Sequence, residues 1–286
     1  MTFLLPMGVS FFAGLLLIPA ARLLAIRTGR LAAPRQDRWH SQPTPYLGGV
    51  GIFVASLAGM LSVAFYLPAE IEQHLGLLMC MALIFILGLY DDFKQLSPPA
   101  KLVGQILVAT LAVALGYSTR FFTPKIPNLI VSQAPNTFLT IFWLVGITNA
   151  INLLDNMDGL AGGISLITAG FLSYFFWKGG NPALLVFSLA IAGSLAAFLF
   201  YNFPPAKIFM GDSGSLFLGF SLAALAIARQ PQASDVLAVL GVPTLLFLLP
   251  ILDTTLVTLT RLMQGKSPAQ GGRDHSSHRL IAFGLT

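Results

Sequence analysis

The sequence predicts an all-α membrane protein that crosses the bilayer several times. Of its 286 residues, 56% are hydrophobic and only 9% are charged, whereas a soluble domain carries charge on roughly a quarter of its positions. The hydrophobic residues form long charge-free runs, many of which approach or exceed the roughly 20 residues that a helix needs to cross a bilayer. Lipid must therefore surround much of the chain, and we expect one integral membrane domain over residues 1–286.

Nine apolar runs are predicted to be transmembrane helices, and together they contain a single acidic residue, Asp253. No basic residue precedes the first run, so we expect a retained span and not a signal peptide. In the long fifth run, Pro127 and Pro135 indicate that a loop or hairpin precedes the helix. The runs cover residues 3–21, 46–69, 74–90, 102–119, 126–154, 159–177, 179–206, 213–228 and 236–260.

The basic residues predict the orientation of these spans. If the N-terminus lies outside and the spans alternate, twelve of the 16 Lys and Arg residues fall in inner loops. The other four fall in outer loops: Arg120, Lys125, Lys178 and Arg229. This excess matches the positive-inside rule, so the inner loops and the C-terminus are predicted to be cytoplasmic. Because the basic residues lie at the ends of apolar runs, anionic lipid headgroups are their expected partner and nucleic acid is not.

Most of the acidic residues share this inner face. They are Asp37, Asp91, Asp92, Asp155, Asp158, Asp212 and Asp274, whereas Glu70, Glu72 and Asp235 fall outside. Carboxylates beside hydrocarbon are costly unless they have a positive partner, which favours a bound cation. Oxygen ligands suit Mg²⁺, with Mn²⁺ as an alternative, and the lone Cys80 excludes both a disulfide within the chain and a cysteine-based zinc site.

The last inner loop adds donors for phosphate oxygens: Arg273, His275, His278 and Arg279. Acids, a magnesium site and phosphate donors at one membrane face predict phosphoryl transfer. His275 and His278 could instead be a surface pair, or two ligands of a zinc site for which a third soft ligand is missing nearby.

Several of these residues also have a plain structural interpretation. Asp91-Asp92 could cap a helix, and Asp212 could be the N-cap of the following span. Asp155 and Asp158, three residues apart, are expected to share a helix face and could cap the helix that starts near residue 159. Asn152 and Asn202 could satisfy broken backbone or contact substrate, and Lys101 could extend to the interface or bind a lipid phosphate. The cluster Gly48-Gly49-x-Gly51 is expected to serve close helix packing and not phosphate binding.

Taken together, the inner loops resemble a known family. The run from residue 40 to 49, the Asp91-Asp92 pair, the stretch Asn152-x-x-Asp155-x-x-Asp158-Gly-Leu and the stretch Phe209-Met-Gly-Asp212-Ser-Gly occur in this order. The chain thereby resembles the polyprenyl-phosphate N-acetylhexosamine-1-phosphate transferases of glycosyltransferase family 4. This resemblance implies an Mg²⁺-dependent enzyme with a cytoplasmic active site, usually a homodimer, in the bacterial inner (plasma) membrane. Because family members have ten or more spans, the resemblance also implies that a final helix is missing here.

The resemblance assigns a role to each candidate residue. It implies metal ligands Asp212, Asp91 and Asp92; catalytic residues Asp91, Asp92, Asp155, Asp158, His275 and His278; and substrate contacts Asn152, Asn202, Phe209, Lys101, Arg273, Arg279 and His40. The aromatic ring of Phe209 is expected to stack on uracil. Which of Asp91 and Asp92 is a ligand and which a base stays open.

The expected reaction joins a UDP-sugar, in the first place UDP-N-acetylglucosamine, to undecaprenyl phosphate with release of UMP, as the first step of a cell-envelope glycan. One alternative is a phospho-N-acetylmuramoyl-pentapeptide transferase, although the run of three histidines typical of that branch is absent from the last loop. An alternative from another class is a proton-coupled transporter, in which membrane acids form a relay near the bilayer midplane.

Overall fold

The computed structural model describes residues 4–32, 43–63, 71–119, 130–228 and 241–265. Within these ranges the chain is almost entirely helical, with one antiparallel pair of two-residue strands. The elements are α1 (Leu5–Arg27), β1 (Leu31–Ala32), β2 (Thr44–Pro45), α2 (Gly48–Leu61), α3 (Leu75–Lys94), α4 (Pro98–Ala114), α5 (Ile130–Leu154), α6 (Leu160–Lys178), α7 (Pro182–Asn202), α8 (Gly211–Ala228), α9 (Val242–Leu246) and α10 (Leu248–Met263).

Six of these helices are long and apolar enough to cross a membrane: α1, α3, α5, α6, α7 and α8. The protein is therefore a multi-pass α-helical membrane protein, as its composition predicts. Every predicted apolar run contains at least one helix, but α2 and α4 have only 14 and 17 residues. The count of nine spans, their orientation and the expectation of a missing final helix stay predictions.

Helices α7 and α8 form the centre of the bundle. In each, 78% of the most apolar 18-residue window is buried, compared with 28–44% in the other four spans. Helix α7 packs against α1, α2 and α6, and helix α8 packs against α2, α3 and α5. The outer helices carry exposed apolar side chains such as Phe12, Ile86 and Phe142, as expected for surfaces that face lipid.

The predicted packing role of the glycine cluster is confirmed. A Cβ atom added to Gly49 would lie 2.2 Å from the backbone nitrogen of Gly214, and one added to Gly51 would lie 2.7 Å from Cγ1 of Ile18. Helix α2 therefore starts in direct backbone contact with the first turn of α8. The segment before α2 continues this contact, because the Phe209 N–H donates to the Pro45 carbonyl at 2.8 Å.

The turn between α3 and α4 places charged side chains close together at one end of the bundle. Helix α3 ends at Lys94, and Gln95 adopts a left-handed conformation with φ of 54°. Helix α4 begins at Pro98. Proline is favoured at this position because the first N–H groups of a helix have no partner within it. Asp91 and Asp92 thus lie in the last turn of α3, and Lys101 lies in the first turn of α4.

Candidate active site

A cavity of about 960 Å³ opens where the ends of α3, α4, α5 and α8 meet. All nine predicted site residues within the described ranges line it: Asp91, Asp92, Lys101, Asn152, Asp155, Asp158, Asn202, Phe209 and Asp212. The other five, His40, Arg273, His275, His278 and Arg279, lie outside the described residues, and their roles stay predictions. The structure thus brings these separate loops together at one cavity wherever it describes them, and the membrane face of that cavity stays a prediction.

Lys101 is the centre of the charged cluster. Its Nζ lies 3.0 Å from Oδ2 of Asp91 and 2.9 Å from Oδ1 of Asp212, and it donates a hydrogen bond to Oδ1 of Asn152 at 3.3 Å. Asp91 is buried, whereas the Asp212 side chain keeps 34% of its surface exposed. Two carboxylates and an amide oxygen from three different helices therefore surround one ammonium group, and the Asp212 side chain is more exposed than those of Asp91 and Lys101.

Asp92 has a different environment from its neighbour. Its Oδ1 accepts the backbone N–H of Asp212 at 2.8 Å, and its Oδ2 accepts the backbone N–H of Ser213 at 3.0 Å. These N–H groups belong to the first turn of α8 and have no partner within that helix. Asp92 therefore caps α8 from a neighbouring helix, and its negative charge lies at the positive end of the helix dipole. The alternative that Asp212 caps its own helix is wrong, because α8 already begins at Gly211.

Two glycines allow this capping contact. Gly211 has φ of 71°, and a Cβ there would lie 2.8 Å from Oδ1 of Asp92. A Cβ on Gly88, one turn before Asp92, would lie 2.5 Å from the carbonyl oxygen of Asp212. The absence of side chains at both positions lets α3 and α8 approach within backbone contact, which fixes the distance between the Asp91-Asp92 pair and Asp212.

Amide side chains connect α4 to α5 directly behind the cluster. Asn152 donates through Nδ2 to Oδ1 of Asp212 and to Oγ of Ser215 at 2.8 Å, while its Oδ1 faces Lys101. About one turn along each helix from Lys101 and Asn152, the amides of Gln105 and Asn149 exchange hydrogen bonds of 3.3 and 2.6 Å. The contacts with Asp212 and Ser215 orient Asn152, so that its amide oxygen points towards Nζ of Lys101.

The two acidic residues between α5 and α6 are not helical, in contrast to the prediction. Asp155 and Asp158 lie in a turn after α5 ends at Leu154, so the expectation that they share a helix face is wrong. Gly159, with φ of 75°, allows the sharp entry into α6. The carboxylate of Asp158 accepts the N–H of Ala206 at 2.9 Å, which links this turn to the loop after α7. Catalytic roles for the two acids stay predictions.

Asn202 holds the same two loops together. Its Oδ1 accepts the N–H of Gly159 at 2.9 Å, and its Nδ2 donates to the Ile208 carbonyl at 2.9 Å. The side chain is buried, so its polar atoms satisfy broken backbone as one interpretation of the sequence expected. The predicted contacts of Asn202 with substrate and of Phe209 with uracil stay predictions, although both residues line the cavity.

Sequence reasoning missed several residues that line the cavity, among them Tyr46, Gln95, Asn149 and Thr258. Asn149 lies three residues before Asn152 on α5, so helical spacing could have identified it. Tyr46 reaches the cavity because its backbone pairs with that of Phe209. Thr258 lies on α10, where no neighbouring motif in the sequence marks it.

The three oxygens around Lys101 suit a hard divalent cation whose remaining ligands come from water and substrate phosphate. In the part of the chain that the structure describes, no three His, Cys, Asp or Glu side chains converge as a metal cage. Two carboxylates and an amide oxygen nevertheless surround a single positive atom, the Nζ of Lys101. Mg²⁺ commonly takes one or two carboxylates and completes its coordination with water and phosphate oxygens, so Asp91, Asp212 and Asn152 suit it.

Comparison with known proteins identifies the family. Residues 74–230, which carry α3 to α8 and the whole charged cluster, match glycosyl transferase family 4. A probable undecaprenyl-phosphate N-acetylglucosaminyl 1-phosphate transferase of Bacillus subtilis is 35% identical over 97% of this chain and 77% of its own length. The chain belongs to glycosyl transferase family 4. The resemblance seen in the loop motifs is thereby confirmed, and a transporter is no longer a competing interpretation.

Other similar proteins have names that point to two kinds of transferase. A decaprenyl-phosphate N-acetylglucosaminephosphotransferase of Mycolicibacterium smegmatis is 36% identical over 92% of this chain and 71% of its own length. A phospho-N-acetylmuramoyl-pentapeptide-transferase of Lactobacillus gasseri is also 36% identical, but over 70% of this chain and 66% of its own length. Similarity to the N-acetylglucosamine-type relatives thus extends over more of the chain.

Proposed function

We propose that this protein transfers N-acetylglucosamine 1-phosphate from UDP-N-acetylglucosamine to a polyprenyl phosphate such as undecaprenyl phosphate, and that UMP is released. The cluster of Asp91, Asp212, Asn152 and Lys101 carries this proposal, because it combines ligands for a divalent cation with a positive charge for phosphate. The cavity that contains the cluster, about 960 Å³, falls within the upper range of small-molecule sites.

The choice of sugar rests on the extent of similarity. The relatives named for N-acetylglucosamine match 92–97% of the chain, whereas the muramoyl-pentapeptide relative matches 70%. We therefore propose UDP-N-acetylglucosamine as the donor and retain the muramoyl-pentapeptide nucleotide as the alternative to be tested. The product would be the first lipid-linked intermediate of a cell-envelope glycan.

In the proposed reaction, an oxygen of the lipid phosphate attacks the β-phosphorus of the nucleotide sugar. A new P–O bond forms to the lipid, the bond between the two nucleotide phosphates breaks, and UMP carries away that electron pair. Asp91, Asp212 and the amide oxygen of Asn152 would hold Mg²⁺. When bound, the metal polarises phosphoryl oxygens and neutralises their charge.

The residues of the chain would mainly bring negative groups together. A phosphate monoester has its second pKa near 6, so most of the lipid phosphate carries no proton at pH 7. Proton removal is then a minor task, whereas placing two anions side by side needs positive charge from Lys101 and the metal. Asp92, with both oxygens on N–H groups of α8, would position Asp212 and not act as a base.

A direct assay would test the proposed function. Purified protein in detergent is incubated with undecaprenyl phosphate, Mg²⁺ and one UDP-sugar at a time, and UMP release and lipid-linked sugar are measured. We expect product with UDP-N-acetylglucosamine, no product with the muramoyl-pentapeptide nucleotide, and loss of activity in EDTA that Mg²⁺ or Mn²⁺ restores. The reverse preference would favour the alternative transferase, and product in the presence of EDTA would reject the metal site.

The cellular setting is part of the same proposal. We propose a bacterial plasma-membrane enzyme whose active site faces the cytoplasm, since the basic residues predict that orientation. A single membrane domain over residues 1–286 and a homodimer remain proposals that follow from family membership. Cross-linking of the purified protein in detergent, followed by mass determination, would test the dimer, and a purely monomeric species would reject it.

A further inference from the structure

The position of the Lys101 ammonium group is unusual for a phosphate-binding lysine. Its Nζ lies within 3.3 Å of one oxygen each from Asp91, Asp212 and Asn152. An ammonium group has three hydrogens to donate, and these three oxygens take all of them. The same three oxygens form the donor set that suits a divalent cation, so the lysine and the metal need the same place.

We propose that Lys101 occupies the divalent-cation position in the metal-free protein, and that metal binding displaces its ammonium group into the cavity. This inference rests on the proposed function only in requiring the metal site. A divalent ion and an ammonium group cannot both contact the same oxygens, because their mutual repulsion at contact distance is strong in a partly buried site. The metal must therefore compete with Lys101 for Asp91 and Asp212.

Displacement has a consequence for substrate binding. The lysine side chain is a flexible four-carbon stem with a point charge at its end, and it lines the same cavity that would receive the nucleotide. Once released from the carboxylates, the ammonium group becomes available to phosphate oxygens. Lys101 would then couple the two events, since a metal that frees the lysine also strengthens binding of an anionic substrate. In the metal-free state the lysine neutralises the carboxylates and offers little to phosphate.

A pair of matched variants tests the competition without any substrate. Lys101→Met removes the charge and keeps an unbranched side chain, while Lys94→Met removes a charge from an exposed position at the end of α3. Mn²⁺ binding to each full-length purified protein is measured by electron paramagnetic resonance. We expect Lys101→Met to bind Mn²⁺ at least about tenfold more tightly than the unmodified protein, and Lys94→Met to change affinity less than about twofold. Unchanged or weaker binding by folded Lys101→Met would overturn the proposal.

A second measurement uses the unmodified protein and does not depend on a variant that folds. Its lysines are acylated with an amine-reactive reagent with and without Mg²⁺, at matched ionic strength, and the modified sites are quantified by mass spectrometry. We expect Mg²⁺ to raise the acylation rate of Lys101 at least about threefold, because the ammonium group leaves its three oxygen partners. The rate at Lys94 should stay the same. A rate at Lys101 that does not rise with Mg²⁺ would contradict displacement.

These experiments separate the inference from the proposed function. Tighter Mn²⁺ binding by Lys101→Met together with no transferase activity in the unmodified protein would support the inference and reject the proposed function. An active transferase whose Lys101→Met variant binds Mn²⁺ no more tightly would keep the proposed function and reject the inference.

Discussion

The substitution Asp92→Asn tests whether this residue positions α8 or removes a proton. In the folded protein each carboxylate oxygen of Asp92 accepts one N–H from the first turn of α8, at 2.8 and 3.0 Å. An asparagine keeps one acceptor and turns an NH₂ group towards the other N–H. A hydrogen bond to a charged group contributes about 1.5–3 kcal/mol, and a negative charge at a helix N-terminus adds about 0.3–1 kcal/mol. The expected destabilisation is therefore about 2–4 kcal/mol.

This loss should appear in both stability and activity. We expect the midpoint of thermal unfolding, followed by intrinsic fluorescence in detergent, to fall by about 5–10 °C. Turnover should fall by about 10²-fold, since a shift of about 1 Å in a catalytic group has that effect, and Asp212 is attached to the turn that Asp92 caps. The deficit should be similar at pH 7 and pH 9, because neither hydrogen bond depends on the ionisation of the lipid phosphate.

Asp91→Asn provides the comparison. Asp91 accepts the Leu96 N–H at 2.6 Å and faces Lys101, so it touches no N–H group of α8. We expect this variant to lose turnover with a smaller change in the unfolding midpoint. The reasoning would be refuted if Asp92→Asn left the midpoint unchanged and regained most of its activity above about pH 8, where the lipid phosphate is fully ionised. That pattern would make Asp92 chiefly a base.

Three further predictions have defined outcomes. Asp212→Asn should lower turnover at least about 10²-fold at saturating Mg²⁺, and near-normal turnover would remove Asp212 from the metal site. Gly88→Ala places a Cβ 2.5 Å from the Asp212 carbonyl oxygen and should lower both turnover and stability, the latter by about 1–3 kcal/mol. Gly146→Ala, whose Cβ would meet nothing within 4 Å, should leave turnover unchanged. A cysteine at Ser276 should react only with membrane-permeant thiol reagents in intact cells and one at Gln232 also with impermeant reagents, and the reverse pattern would invert the predicted topology.

The sequence by itself determined the fold class and predicted nine residues that the structure places in one cavity. A charged fraction of 9% excludes a soluble domain, since too few polar side chains are present to cover one. Asp91 and Asp212 lie far apart in the chain but line one cavity, as expected if the four predicted spans between them alternate in direction. Any set of loops separated by an even number of spans must share a face. This rule needs no knowledge of which helices are neighbours.

The tertiary structure decided which of these residues touch one another. Asp91 and Asp92 are adjacent in sequence, yet one faces Lys101 and the other caps α8. Successive residues on a helix point about 100° apart, so the rotation of α3 against α8 decides which contacts each of the two makes. That rotation depends on the backbone contact at Gly88, where side-chain volume and not hydropathy decides the fit. Apolar runs encode which segments enter the membrane, whereas helix rotation and contact distance follow from the packing of small residues across the whole bundle.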